Sequence, residues 1–175
     1  MENLALIHPI VRNLVSMLTA TEMGFLERAI DLSREGMKDG AGGPFGCVIV
    51  LNGQIVGEGC NEVTSSNDPT AHAEVVAIRD ACKKLGTYQL TDCDIYASCE
   101  PCPMCLGAIY WARPKRVIYA NTKKEAAAIE FDDDFIYQEI NAGLPDRKIP
   151  FIHHPHQEAK AVFEDWKKWS GKKKY

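Results

Sequence analysis

The residues best suited to chemistry are one histidine, one glutamate and two cysteines, which lie in two short segments. His72 and Glu74 belong to Thr-Ala-His-Ala-Glu, and Cys102 and Cys105 belong to Pro-Cys-Pro-Met-Cys. Imidazole nitrogen and thiolate sulfur are preferred protein ligands of zinc, and three such ligands leave a tetrahedral ion one open position for water. The pattern therefore predicts a catalytic zinc ion held by His72, Cys102 and Cys105.

Glu74 is predicted to carry protons rather than to bind the metal. It follows His72 by two positions, so its carboxylate can lie beside the bound water without ligating the ion. Zinc lowers the pKa of such a water to about 7, which makes hydroxide available at neutral pH. The carboxylate can take the water's proton and pass it to a ring nitrogen and then to a leaving amine. This chemistry is a hydrolytic deamination.

A structural use of the same cysteines stays open. Cys99 extends the motif to Cys-x-x-Cys-x-x-Cys, and with His72 it could close a Cys3His site that binds a partner without catalysis. That site would leave Glu74 without a function, and Cys99 lies before the predicted helix rather than on its face. The cysteines at positions 47, 60, 82 and 93 have apolar neighbours and are expected to be buried.

Alternating helix and strand signals predict the elements that position these residues. Thr19 or Thr21 can cap a first helix, and Asn52-Gly53 predicts the turn of a β-hairpin. Asp68-Pro69 predicts the start of a second helix, with aspartate as the cap and proline in the first turn. The expected elements that follow are a strand at 95–98, a helix at 102–111, a strand at 117–120 and a helix at 157–169.

Composition and charge narrow the partners. Apolar residues make up 46% of the chain and charged residues 25%, which is ordinary for a globular domain, and no apolar run has the length of a membrane span. The net charge of −4 divides into +5 on residues 166–175 and −9 on the rest. An acidic body repels a long phosphate backbone, so we expect neither a nucleic-acid nor a membrane partner. Seven cysteines without an export signal favour a cytoplasmic protein.

The His-Ala-Glu and Pro-Cys-Pro-Met-Cys motifs together resemble the zinc-site signature of the cytidine deaminase superfamily. The resemblance implies an α/β fold of three layers, α/β/α, with a mixed five-stranded sheet. It also implies zinc on the three ligands named above and Glu74 as the proton shuttle. It does not choose the substrate, because cytidine, adenosine and guanine deaminases share it.

A finer resemblance, to bacterial guanine deaminases, covers residues 25–175. Its most specific part is Phe-Asp-Asp-Asp-Phe-Ile-Tyr at 131–137, which is not expected in transfer-RNA adenosine deaminases. The other matching segments are Gly-Pro-Phe-Gly at 43–46, Ser-Asn-Asp-Pro-Thr at 66–70, Ser-Cys-Glu-Pro at 98–101 and Ala-Ile-Tyr-Trp-Ala-Arg-Pro-Lys at 108–115.

This finer resemblance implies that Asn61 and Asp133 contact the guanine ring and that Phe45 and Trp111 shape the pocket. It also implies a homodimer in which the C-terminal segment, ending in Tyr175, covers the partner's active site as a swapped element. Guanine carries acceptors at O6 and N7 and donors at N1 and N9, so an amide and a carboxylate can bind opposite edges. Asn61 could instead be a turn residue, and Asp133 part of a solvated acidic loop.

The sequence thus predicts one domain in three parts: an extension at 1–20 that could form an extra helix, a zinc deaminase core at 21–157, and a C-terminal helix and tail at 158–175. The expected reaction is the hydrolysis of guanine to xanthine and ammonia by attack at C2, with Zn²⁺ as cofactor and a small purine base as partner. The alternatives are a guanosine or other nucleoside deaminase and a transfer-RNA adenosine deaminase, for which the lysine-rich tail would supply phosphate contacts.

Overall fold

The computed structural model describes residues 18–173, so most of the predicted extension at 1–20 and Tyr175 lie outside the described residues. A 3-10 turn (Leu144–Asp146) lies between the last two helices. The elements in chain order are α1 (Ala20–Lys38), β1 (Gly46–Leu51), β2 (Gln54–Cys60), α2 (Val63–Ser66), α3 (Ala73–Leu85), β3 (Cys93–Cys99), α4 (Pro103–Ala112), β4 (Arg116–Asn121), α5 (Lys123–Ala127), α6 (Asp134–Asn141) and α7 (Gln157–Lys168).

The strands form one mixed sheet in the order β2-β1-β3-β4, in which β1 is antiparallel to both neighbours and β3 is parallel to β4. The predicted hairpin is confirmed: Asn52 and Gly53 have φ of 51° and 77°, and positive φ at both positions is what a tight hairpin turn requires. Residues of β1 and β3 are buried on both faces, so these central strands form the middle layer of the domain.

The expected fifth strand is wrong for residues 18–173, where the sheet has four strands and β4 is at its edge. The chain after β4 forms short helices instead. Thr122 and Glu125 make a reciprocal capping box, which satisfies free backbone N–H groups and starts α5 directly after the strand. The α/β class with a mixed sheet is confirmed.

Helices cover both faces of the sheet. On one face α1 packs against Val48, Val50 and Tyr96, and on the other α3 and α4 pack against Cys47, Ile49 and Ile95. Two glycines of β2 allow α3 to lie close. A Cβ at Gly57 would come 2.6 Å from the carbonyl oxygen of Ala77, and one at Gly59 would come 2.5 Å from that of Ala73. This close packing places the first turn of α3 against the sheet.

The start of α3 differs from the expected one. Asp68 was predicted as the cap, but its Oδ1 accepts hydrogen bonds from the backbone N–H (2.8 Å) and the hydroxyl (2.7 Å) of Thr70, which closes a local turn. The helix then begins at Ala73 with His72 as the N-cap. The other predicted boundaries are close: Thr19 caps α1, and α3 ends at Gly86, whose φ is 65°. None of the helices within residues 18–173 combines the length and apolar character that crossing a membrane requires.

Candidate active site

The structure brings the three predicted metal ligands together. Nδ1 of His72 lies 3.5 Å from the sulfur of Cys102 and 3.5 Å from the sulfur of Cys105. His72 is the N-cap of α3, Cys102 is the N-cap of α4, and Cys105 is in the first turn of α4. The ligand atoms of all three lie within 4.8 Å of one another. One nitrogen and two sulfurs at this spacing fit a zinc ion with a fourth position left over.

Two helix N-termini meet at this group. His72 and Cys102 have extended backbones, with ψ of 154° and 168°, and the chain turns into a helix directly after each. Pro103 occupies the first turn of α4, where its missing N–H costs nothing. The positive ends of helix dipoles favour thiolates, which are the form of cysteine that binds metal.

The three ligand side chains shift one another's pKa values because they lie close together. Hydrogen bonds with Cys105 and then with His72 lower the pKa of Cys102 to about 4, while the hydrogen bond with Cys102 raises the pKa of Cys105. The hydrogen bond with Cys102 also raises the pKa of His72. A negative sulfur is thus shared between neighbours that hold protons, and a divalent cation at their centre would replace those protons.

Glu74 lies in the first turn of α3 and is only 8% exposed. Burial raises the pKa of its carboxyl group above the ordinary value. A raised pKa makes the carboxyl group readier to accept a proton, which the first step of a proton shuttle requires. Glu74 lines the same cavity as His72 and Cys102.

Cys99 does not belong to the group of ligand atoms. Its thiol donates to the carbonyl oxygen of Thr122 (3.8 Å), and burial raises its pKa to about 11. Because the sulfur of Cys99 is outside the group of mutually close ligand atoms, the geometry favours the open three-ligand site over a closed Cys3His site. All seven cysteines are free, and those at positions 47 and 93 are buried as expected, whereas Cys60 and Cys82 are only partly buried.

A cavity of about 410 Å³ opens in front of the ligand group, a volume typical of small-molecule sites, which span roughly 300–1,000 Å³. It contains both predicted polar contacts and one of the two predicted aromatic residues. Its main lining residues are Phe45, Asn61, His72, Glu74, Cys99, Cys102, Lys123, Phe131, Asp133 and Phe135.

Asn61 presents its amide nitrogen to this cavity. Its Oδ1 accepts from the backbone N–H of Gly43 (3.3 Å) and of Val63 (3.2 Å), and no residue within 18–173 accepts from its Nδ2. Asn61 is 5% exposed, so its orientation is held by its surroundings. A side chain at Gly42 would meet Oδ1 at 2.1 Å, so that position has room only for glycine. Asn61 is therefore an oriented hydrogen-bond donor.

The remaining predicted contacts divide into those that the structure places at the cavity and those that it does not. Asp133, the N-cap of α6, lines the cavity, and burial raises its pKa. Phe45 also lines it. Trp111 does not line it, because Trp111 lies near the end of α4 and the cavity is at the start of that helix. Trp111 is 64% exposed. Its predicted contribution to the pocket is not made within one chain. Tyr175 lies outside the described residues.

Several lining residues were not predicted individually, among them Lys123, Phe131 and Phe135. The two phenylalanines belong to the Phe-Asp-Asp-Asp-Phe-Ile-Tyr segment, which had pointed to this region without assigning them a position. Lys123 follows β4, and its ammonium group lies 4.4 Å from the centroid of the Tyr137 ring. Sequence patterns had offered no signal for that contact.

The fold and the metal-ligand group together define the class. Residues 20–121 match the family described as the cytidine and deoxycytidylate deaminase zinc-binding region, and the chain belongs to this family. It is 58% identical over 151 residues to the guanine deaminase of Bacillus subtilis, an alignment that covers 86% of this chain and 97% of the relative.

Solved structures and a further relative agree with this placement. The crystal structure of the Bacillus subtilis guanine deaminase superposes with a TM-score of 0.86 at 56% identity, covering 90% of this chain and 99% of the other. A structure of a guanine deaminase from Nitrosomonas europaea gives a TM-score of 0.61 at 27% identity, covering 67% and 66%. The tRNA-specific adenosine deaminase of Aquifex aeolicus is 30% identical over 70% of this chain and 79% of its own length.

Proposed function

We propose that this protein is a zinc-dependent guanine deaminase that hydrolyses guanine to xanthine and ammonia. The observation that carries the proposal is a single cavity that contains the His72, Cys102 and Cys105 group, the buried Glu74, and the oriented amide of Asn61. The 58% identity to a guanine deaminase over nearly its whole length supports the choice of substrate.

Each side chain has a distinct task in this reaction. His72, Cys102 and Cys105 would hold a zinc ion, which would supply a water of lowered pKa as the nucleophile. Glu74 takes one proton of that water and delivers it to a ring nitrogen. It then takes the remaining proton, from the new hydroxyl group on C2, and delivers it to the amine, so that ammonia leaves as the C2 carbonyl forms. Nδ2 of Asn61 donates to a ring acceptor, O6 or N7, and the Asp133 carboxylate accepts from a ring N–H on another edge. Phe45 offers a flat apolar surface to the purine ring.

The experiment is a panel of purified bases and nucleosides, with ammonia release measured for guanine, guanosine, adenosine, cytosine and cytidine. We expect guanine to have by far the largest kcat/KM. A preference for guanosine would keep the reaction and change the substrate to a nucleoside. Release of ammonia from none of them, by a protein with one zinc per chain, would contradict the proposal. A transfer-RNA anticodon stem substrate tests the second candidate, which the Aquifex aeolicus relative favours.

The proposal includes a cytoplasmic homodimer swapped through the C-terminal segment. In the described chain the segment from 147 to 173 is exposed almost throughout. It nevertheless carries large apolar side chains, which monomeric proteins rarely leave exposed together. These residues are Ile149, Phe151, Ile152, Val162, Phe163, Trp166 and Trp169. A second copy of the chain would cover them and would place the tail over a neighbouring cavity. Seven free cysteines are consistent with a reducing compartment.

A further inference from the structure

Two phenylalanine rings form one wall of the cavity. Phe45 and Phe131 meet edge to face, with ring centroids 4.9 Å apart and planes at 89°, and both residues line the cavity. Phe45 precedes β1, and its carbonyl oxygen accepts from the backbone N–H of Asn61 at 3.0 Å. Phe131 comes from the segment between α5 and α6, which also carries Asp133. The ring pair therefore joins the sheet to the segment that carries the second polar contact.

The ring pair depends on the missing side chain of Gly43. A Cβ at this position would lie 2.8 Å from Cζ of Phe131 and 3.0 Å from Cε2 of Phe45, distances shorter than carbon atoms accept. The φ of Gly43 is not positive, so its backbone does not demand glycine and only the space does. The residue is needed because the two rings occupy the place of its side chain.

The chain makes an unfavourable turn to deliver Phe131. The N–H of Phe131 donates to the carbonyl oxygen of Ala126 (3.1 Å), and Glu130 between them has a φ of 71°. This is the pattern that ends helices at a left-handed residue, which is usually glycine. A glutamate in that conformation is uncommon and persists where its surroundings require it.

We propose that Phe131 is a positioning residue for the substrate, acting through Phe45: seated in the space at Gly43, it holds the Phe45 ring as the flat wall against which the purine packs. This inference rests on the proposed function. Losing the edge-to-face contact frees the Phe45 ring and weakens binding of a flat base. The contact has no part in proton transfer, because Glu74 lies in α3 and not in this wall.

The test is a double-mutant cycle of Phe131→Leu and Gly43→Ala in the zinc-loaded enzyme. Each single variant should raise KM for guanine about three- to tenfold and keep kcat within about twofold, the size expected of one aromatic contact. The inhibition constant of xanthine, which binds without reacting, should rise by the same factor. The KM of the double variant should be no higher than that of the more impaired single variant, because both substitutions break the same contact. Gly24→Ala is the matched control, since nothing lies within 4 Å of a Cβ there.

Position 131 is 44% exposed, and leucine keeps it apolar, so the Phe131→Leu variant should fold. This variant tests the positioning role even if Gly43→Ala fails to fold. Unchanged KM in Phe131→Leu, a loss confined to kcat, or additive losses in the double variant would overturn the positioning role while leaving guanine deamination intact. A wild-type enzyme that releases no ammonia from guanine would overturn the proposed function and this inference together.

Discussion

Three polar residues at the cavity differ in how strongly burial and hydrogen bonds fix their side chains. Glu74 is buried with a raised pKa, which suits it to accept a proton. Asn61 has its oxygen occupied by two backbone donors, which leaves its amide nitrogen to donate. Asp133 is only partly buried, at the start of an exposed helix. Residue types and spacing predicted Glu74, whereas Asn61 and Asp133 were expected only because the chain resembles guanine deaminases; the structure places all three at one cavity. Residue types and spacing could not predict Phe131, because an aromatic residue beside an acidic run is equally compatible with a surface loop.

Replacing Glu74 with glutamine should abolish turnover and leave the metal in place. The amide has the same shape but carries no transferable proton, and general acid-base catalysis contributes roughly 10²- to 10⁴-fold. We expect kcat to fall by at least about 100-fold with one zinc per chain retained. Activity within a few-fold of wild type would remove Glu74 from the proton pathway.

Replacing Cys99 with alanine should leave zinc content unchanged, because its thiol donates to Thr122 and does not join the ligand group. Cys105→Ala is the comparison, and it should lose the metal. Metal analysis of both purified variants, with melting temperatures, checks the expectation. Loss of all zinc from Cys99→Ala would restore the closed Cys3His site.

Asn61→Asp and Asp133→Asn test the two predicted polar contacts with little change of shape. Aspartate at 61 keeps an oxygen for the N–H groups of Gly43 and Val63 but removes the donor that faces the cavity. Each substitution should cost about 2 kcal/mol or more of transition-state binding, or roughly 30-fold in kcat/KM for guanine. Normal kcat/KM in either variant would return that residue to a turn or to a solvated loop.

At the scale of elements, sequence signals were accurate where a turn or cap depends only on residues close by in the chain. The Asn52-Gly53 hairpin formed as predicted, and Thr19 is the cap of the two residues offered, Thr19 and Thr21; both features depend on neighbours within a few residues. The start of α3 was wrong because Asp68 caps a turn with Thr70 instead, and both arrangements use the same side chain. The fifth strand came from the family resemblance and has no counterpart among residues 18–173.

The cap of α1 should make stability depend on pH. The backbone N–H of Thr19, then Arg116, lower the pKa of Glu22 from 4.5 to about 2. The ionised form is thus favoured by folding, so its contribution is complete above about pH 4.5 and disappears as the pH falls through about 2. Urea unfolding of wild type and Glu22→Gln should differ at neutral pH and converge in acid.

Metal release in acid affects both proteins alike and cancels in this difference. Glu27→Gln is the matched control, since Glu27 lies exposed on the same helix away from the cap. A difference between wild type and Glu22→Gln that stays constant down to about pH 2 would show that the carboxylate charge is not what stabilises the cap.

At the scale of the whole molecule, the segment from 147 to 173 exposes large apolar side chains in the single chain. The sequence predicted α7 correctly as a helix, but periodicity alone could not predict that its apolar side chains stay exposed in the single chain. Partner contacts depend on a second chain, which no local pattern in the first chain encodes.

Deleting residues 171–175 should lower guanine turnover and raise the relative activity on guanosine, if the tail covers a neighbouring cavity. A cover excludes water from the site and leaves little room for a ribose. Sedimentation should find the full-length chain as a dimer. An unchanged guanine-to-guanosine ratio after the deletion would place the tail in solvent.

The cavity has two walls, which differ in how much of their surface is buried. One wall belongs to the buried sheet and the first turn of α3, which pack together in the core. The other belongs to α5 and α6, exposed along most of their length. Segments with little buried apolar surface open at low free energy, long before the rest of the fold. We therefore expect ligands to enter and leave the cavity on the α5–α6 side.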